Sequence, residues 1–208
     1  KDIKDKNPSI KALAYQLYEN NGVIKRDQVS IYLKKLDQND RKILRDLGVK
    51  FGRYHVFLYK LIKPEPVSLR TLLWKNHHQK FLNLKPPTFG LNFINDIKIN
   101  NKDFMLLCGF EKFEKFYIRI DILERLFVQI INSNKDNLKE VKMMPEMLNL
   151  LGCNKDNFKK LLKIMNYKII EKDSEIFFKY LPKKKIKGES KRNIKENPFG
   201  ILKNLNFN

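Results

Sequence analysis

The chain lacks the sequence elements of a nucleotide-hydrolysing motor. A phosphate-binding loop needs a glycine-rich turn that ends in Gly-Lys-Ser/Thr at the start of a helix. None of the eight glycines is followed by that pair. No Asp-Glu-x-His/Asp run is present to hold magnesium. We therefore expect no catalytic centre and no cofactor in this chain.

Residues that support redox, metal or membrane functions are also scarce. The two cysteines, Cys108 and Cys153, are far apart and form no CxxC pair, so we expect free buried thiols. His77 and His78 have no Cys, Asp or Glu partners at the spacing of metal ligands. No apolar run reaches the ~18 residues of a membrane span, and no signal peptide is visible. These absences favour a cytoplasmic protein with no membrane partner.

Positive charge is abundant by contrast and is concentrated in one block. The 208 residues include 43 Lys or Arg against 23 acids, a net charge of +20. From Arg41 to Lys85 there are eleven basic residues against two acids, and six aromatic residues are interleaved with them. Basic groups neutralise phosphates, and aromatic rings offer faces on which bases stack. The block therefore indicates a nucleic-acid partner.

This block also carries a resemblance to a known family. Three parts of the chain resemble the C-terminal region of bacterial superfamily-two ATP-dependent helicases. They are LDQNDRKILRDLGVKFGRYHVFL (36–58) with LIKPEPVSLRTLLW (61–74), GFEKF with YIRIDILERL (109–126), and MPEMLNLLGCNKDNFKKLLKIMNYK (144–168). These helicases are similar to the mitochondrial degradosome RNA helicase. The likeness extends from about Pro8 to Tyr180, and Tyr59 departs from it where a proline is expected.

The resemblance implies a motor that this chain does not contain. ATP and Mg²⁺ would belong to motor domains upstream of Lys1, and the chain itself would be a C-terminal or processed piece. Single-stranded RNA or DNA and the motor domains are the implied partners, and a nuclease or the ribosome is a further one.

Apolar spacing predicts helices in the first 85 residues. A helical pattern begins or continues at five places: at Pro8, after Asp27, from Ile43 to Leu47, from Phe57 to Ile62, and from Pro66 onward. In the last of these helices, we expect Leu69, Leu72 and Leu73 to face inward. The predicted fold class is mainly α, with a helical bundle-like N-terminal part followed by a small α+β winged-helix-like part.

The second half has a different order of elements. Asn101 to Cys108 is a predicted helix, residues 110–120 a hairpin, and Asp121 with Glu124 the capping box of the next helix. A strand, two helices joined at Gly152 and a final hairpin then follow. That order is typical of a winged helix-turn-helix. The predicted domains are 1–85 (helical accessory), 86–100 (linker), 101–182 (winged-helix-like) and 183–208 (disordered basic tail).

Twelve side chains are the candidate nucleic-acid-binding residues. In the first block, Arg70 and Trp74 lie four apart on one helix as a possible phosphate contact and stacking platform, and the residues beside Gly52 form a possible backbone clamp. In the winged-helix-like part, lysines line the second helix of the motif, where a recognition helix would meet a major groove. The full set is Arg45, Lys50, Arg53, Tyr54, His55, Lys63, Arg70, Trp74, Lys155, Lys159, Lys160 and Lys163.

Other interpretations of these residues stay open at this point. Trp74 is also explained by packing against a neighbouring domain, and the lysines by an ordinary solvated surface. Residues 140–182 carry a net charge of only +2, which is weak for a duplex binder. The favoured function is a non-catalytic helicase accessory region that binds single strands. The alternatives are a free-standing winged-helix DNA-binding protein and a protein-docking module.

Overall fold

Short helices and strands are interspersed from Pro8 onward. The computed structural model describes residues 7–95, 101–133, 140–172 and 175–181. Its first six elements are α1 (Pro8–Glu19), β1 (Val23–Lys25), α2 (Ser30–Lys35), α3 (Gln38–Asp46), β2 (Val49–Phe51) and β3 (His55–Leu58). β3 pairs antiparallel with β1 on one side and with β2 on the other. We call residues 8–58 the first repeat.

Local caps explain where two helices of the first repeat, α1 and α3, begin. The Asn7 side chain accepts a hydrogen bond from the backbone N–H of Ser9 at 2.9 Å, and Pro8 occupies the first helical position. Asp37 accepts from the N–H of Asp40 at 2.7 Å and starts α3. The buried faces of these helices cover the three strands and form one apolar cluster with them.

The prediction of a mainly α fold, with a helical bundle at its N-terminus, is wrong. The described chain is mixed α+β, with three small antiparallel sheets of three strands each. One misleading signal was the helical spacing of Phe57, Leu58, Leu61 and Ile62. In the structure, β3 ends at Leu58 and a 3-10 turn covers Tyr59–Ile62. Strands of three or four residues are too short to show alternation, so pairing across the sheet decides their conformation.

The middle of the chain repeats the same arrangement in a shorter form. It contains α4 (Pro64–His77), a 3-10 turn at Gln79–Phe81, β4 (Phe93–Ile94), α5 (Lys102–Leu107), β5 (Phe110–Phe113) and β6 (Phe116–Arg119). The strand order is β4-β6-β5, with the last strand in the centre as in the first sheet. We call residues 64–119 the middle repeat.

Helix α4 turns its leucines outward, which corrects the sequence prediction. Leu69, Leu72 and Leu73 are 58%, 53% and 58% exposed. The buried side of the helix is formed by Val67 and Thr71 instead. α4 is therefore apolar on two opposite faces, and its sequence does not reveal which face meets the core.

The last six elements repeat the order of the first six. They are α6 (Ile120–Ser133), β7 (Val141–Lys142), α7 (Pro145–Leu151), α8 (Lys155–Ile164), β8 (Tyr167–Lys172) and β9 (Glu175–Tyr180). The strand order is β7-β9-β8. Gly152 ends α7 with a φ of 71°, and Asn154 caps α8 through the N–H of Asn157 at 2.8 Å. We call residues 120–180 the third repeat.

The third repeat has the largest core. Phe127, Phe158, Leu161 and Phe178 are fully buried, and the cluster continues into Phe116 of the middle repeat.

Both cysteines are free, and burial raises the pKa of Cys108 to about 12 and that of Cys153 to about 11. No helix in the described part of the chain is long and apolar enough to cross a membrane.

Two predicted segments lie wholly or partly outside the described residues. The basic tail, 183–208, lies entirely outside them, and so do residues 96–100 of the predicted linker. The domain boundaries near 85 and 100 stay predictions.

Candidate nucleic-acid interface

A cleft of about 950 Å³ lies between the first repeat and α6. One wall is formed by β2 and by the 3-10 turn that follows β3. The other wall is the solvent face of α6. The side chains that line the cleft include Lys50, Phe51, Tyr59 and Lys63 on the first wall and Arg125, Gln129 and Asn132 on the second.

The exposed charge of this cleft is mostly positive. Its charged side chains are Lys50, Lys63, Arg119, Arg125, Asp121, Glu124 and Glu146. Arg119 is paired with Asp121 at 2.7 Å, and Glu124 is 6% exposed and engaged in hydrogen bonds. The other three cations are exposed and form no ion pair within the described residues, and they face a single free carboxylate, that of Glu146. Three cations around one groove can therefore neutralise phosphates of a bound strand.

Aromatic rings lie beside these cations. The ammonium of Lys63 is 4.2 Å from the ring centroid of Tyr59 and donates to its hydroxyl at 2.6 Å. The ammonium of Lys50 lies 6.0 Å from the same ring. Tyr59 and Phe51 are both half-buried, so part of each ring is accessible from the cleft. A groove with cations and ring faces is the arrangement that binds single strands with little base preference.

The structure brings only two of the twelve predicted residues, Lys50 and Lys63, into this cleft. Arg45 is exposed on α3 and does not line it. Arg53 is exposed on the turn between β2 and β3, but its guanidinium lies 5.8 Å from the ring of Tyr180 on another side of the molecule. The predicted clamp beside Gly52 is therefore divided between two surfaces.

Tyr54 and His55 are not exposed, contrary to the prediction of a solvent-facing clamp. The Tyr54 ring packs edge-on against Phe127 at 4.5 Å between centroids, and burial together with Tyr167 raises the pKa of its hydroxyl. His55 is 3% exposed and lies between two carboxylates, Glu111 and Glu124. Both side chains join parts of the protein together instead of binding a strand.

Arg70 and Trp74 do not form the predicted stacking platform. The guanidinium of Arg70 donates to the carbonyl of Leu61 at 3.0 Å and to the carbonyl of Asn21. Trp74 is half-buried and stacks on His78 at 4.3 Å and on Phe81 at 5.4 Å between centroids. These contacts account for both residues as packing within the chain.

The predicted recognition-helix lysines lie together on α8. Lys155, Lys160 and Lys163 are exposed, and Lys159 is paired with Glu171 on β8 at 2.6 Å. Glu171 has a lowered pKa because of its hydrogen bond and charge interaction with Lys159. These lysines do not line the cleft beside α6.

Sequence reasoning missed three residues of the interface: Tyr59, Glu124 and Arg125. Arg125 was predictable, because Ile122, Leu126 and Ile130 recur at helical spacing and Arg125 falls on the other side of the helix. Tyr59 lies in the basic block, but its spacing suggested a helix. Glu124 was assigned to a helix cap; instead, it accepts hydrogen bonds from residues about 70 positions earlier, and no local signal predicts that contact.

Neither a metal nor a known relative identifies the site. Among the residues that the structure describes, no three His, Cys, Asp or Glu side chains are grouped to hold a metal ion. No family model, curated protein or solved structure matches the chain. The helicase relationship therefore stays a prediction from the sequence.

Proposed function

We propose that this chain is a non-catalytic C-terminal accessory region of an ATP-dependent RNA/DNA helicase, and that it binds single-stranded nucleic acid in the cleft beside α6. The supporting observation is that Lys50, Lys63 and Arg125 line one cleft together with Tyr59, whose ring lies beside the two lysines. The cations contact phosphates, and the ring carries a base. In this proposal, the motor domains bind ATP and Mg²⁺ and carry out the hydrolysis. The protein acts in the cytoplasm.

Fluorescence anisotropy with poly-U and mixed-sequence DNA oligomers tests this proposal. The affinity should fall with salt, with a slope in log–log form of about −0.7 for each phosphate neutralised on a single strand. Replacing Lys50, Lys63 and Arg125 together by Ala should reduce that slope by about 2, because three phosphate contacts are lost.

The matched control removes the same charge elsewhere. Lys155, Lys160 and Lys163 are equally exposed and lie on α8, away from the cleft. Their triple Ala variant should bind almost as well as the parent chain. A loss equal to that of the cleft variant would show that only net charge matters and would refute the cleft. The comparison is repeated in a chain that ends at Leu181, because the basic segment 183–208 supplies non-specific affinity of its own.

The exposed leucines of α4 favour a second role, contact with the motor. Leu69, Leu72 and Leu73 form an apolar face that no other part of the described chain covers. Exposed apolar patches of this kind mark interaction sites. Changing Leu72 and Leu73 to Glu should leave strand binding unchanged and weaken association with separately produced motor domains. Tight, sequence-specific binding to duplex DNA would instead favour a free-standing winged-helix regulator.

A further inference from the structure

A buried imidazole links three parts of the chain just beneath the cleft. His55 on β3 lies between Glu111 of β5 and Glu124 of α6. Its Nδ1 is 3.0 Å from Oε1 of Glu124, and its Nε2 is 3.6 Å from Oε2 of Glu111. All three residues are at least nine-tenths buried. The first repeat is thus connected through one side chain to the middle and third repeats.

The carboxylate of Glu124 also occupies the turn between β2 and β3. It accepts backbone N–H groups from Arg53, from Tyr54 at 3.0 Å and from His55 at 2.8 Å. A Cβ on Gly52 would overlap this carboxylate, so glycine is required there by close approach. The turn that carries one wall of the cleft is therefore held directly on the helix that forms the other wall.

The side chains in direct ion pairs around His55 are two carboxylates and one ammonium. Two buried carboxylates face it, and Lys25 of β1 pairs with Glu111 at 2.9 Å. Arg26 donates to the carbonyl of Gly52 at 2.7 Å, and Asp27, Arg53 and Tyr54 also line the site. With a neutral imidazole, Lys25 is the one cation of the described residues in direct contact with the two buried carboxylates, in a site where charge is poorly solvated.

The direction of titration agrees with this count. Burial disfavours the imidazolium, but the charges of Glu111 and Glu124 and the hydrogen bond to Glu124 outweigh burial and raise the pKa of His55 above 6.5. Burial likewise opposes ionisation of Glu111, but His55 and Lys25 outweigh it and hold its pKa below 4.5.

We propose that His55 and Glu124 form a proton-dependent lock on the cleft. When His55 is protonated, the turn at residues 52–54 is fixed on α6 and the cleft walls keep their spacing. When His55 loses its proton, the turn loosens, and affinity for a single strand falls. This regulation rests on the proposed function of the cleft.

The pH window follows from the two shifts. The raised pKa of His55 means that its stabilisation is complete below pH 6.5 and is lost as the pH rises through the folded-state pKa. The lowered pKa of Glu111 means that its stabilisation is present above pH 4.5 and is lost as the pH falls through its folded-state value. The lock is tightest between these limits and opens on the alkaline side.

Hydrogen exchange in the full chain tests the lock without any substitution. Protection of the amides of Arg53, Tyr54 and His55, relative to their intrinsic exchange rates, should fall as the pH is raised above 6.5 through the folded-state pKa of His55, by at most about tenfold per pH unit because one proton is released. Protection that stays constant over this range would overturn the proposal.

Two variants and a control assign the effect. His55→Gln should abolish the pH dependence, and Glu124→Gln should lower protection at every pH. His77→Gln changes an exposed histidine and should retain the parent profile. A pH dependence that survives in His55→Gln would refute the role of this side chain.

Oligomer binding over the same pH range separates the lock from the cleft. Parallel losses of protection and affinity support both. Protection that falls with pH while no oligomer binds at any pH would retain the lock and refute the proposed function. Binding that is independent of pH while protection falls would retain the function and refute its regulation by His55.

Discussion

The first and third repeats have the same element order and the same central last strand, but they place charge differently. In the third repeat, lysines are paired with glutamates across the sheet and to α8: Lys142 with Glu175, Lys172 with Glu140 and Lys159 with Glu171. In the first repeat, Lys50 lies near an aromatic ring and has no ion pair within the described residues. A shared fold therefore does not imply a shared function, because the surface charges differ.

The turn before the last strand of the first repeat, residues 52–54, has a structural role. In the first repeat, this turn receives the Glu124 carboxylate from α6. In the third repeat, the corresponding turn includes residues 173–174, which lie outside the described part. The first repeat is consequently fixed on the others through residues 52–54, a segment that the sequence suggested was free to bind a strand.

The largest effect is expected where the first repeat is held. Glu124→Ala should lower the free energy of unfolding by about 3–5 kcal/mol, because three backbone N–H groups and His55 lose their buried acceptor. Asp121→Ala, one turn earlier on α6, removes a partly exposed pair with Arg119 and should cost below about 1 kcal/mol. Urea denaturation measures both changes in unfolding free energy. Equal losses of stability in the two variants would contradict the importance of the contact between Glu124 and residues 52–54.

The caps and turns of the third repeat were predictable because their signals are local. Asn154 and Gly152 fix the boundaries of α7 and α8 within a few residues of chain, and Gly152 lies at the predicted junction of the two helices. The hairpin of β5 and β6 likewise needs only neighbouring residues. The position of the Glu124 carboxylate depends on contacts about 70 residues away, so its capping-box spacing was misleading.

Two strands of the first repeat, β1 and β3, could not be predicted for a related reason. β1 has three residues and pairs with β3 across more than 25 intervening residues. In α4, both opposite faces are apolar, and only the tertiary structure selects Val67 and Thr71 for burial. Where an amphipathic pattern is ambiguous, contacts from distant parts of the chain decide the outcome, and the cleft is built from such contacts.

An intermediate effect is expected at Trp74, which tests where the basic block binds. Trp74→Ala should cost about 2–3 kcal/mol of stability, below the range for a fully buried aromatic residue, because the ring is half-buried against Phe81 and Phe104. Strand affinity should be unchanged under conditions where the variant is folded. Tyr59→Ala is the comparison: it should weaken binding by about 1–3 kcal/mol if a base stacks on the ring. The reverse result would move the interface to α4.

The smallest effect is expected from changing the charge balance of the third repeat. Glu140, Glu171 and Glu175 each hold one lysine in an ion pair, so replacing all three by Gln frees three cations and raises the net charge of residues 140–182 from +2 to +5. In the background of the cleft triple variant, the salt slope of strand binding should become steeper by about 0.7 for each phosphate that is newly contacted. Anisotropy at low salt detects this gain. If the third repeat gains no affinity, its ion pairs do not explain why the two repeats differ in strand binding. The geometry of the cleft, with its Tyr59 ring and its wall on α6, must then account for the difference alone.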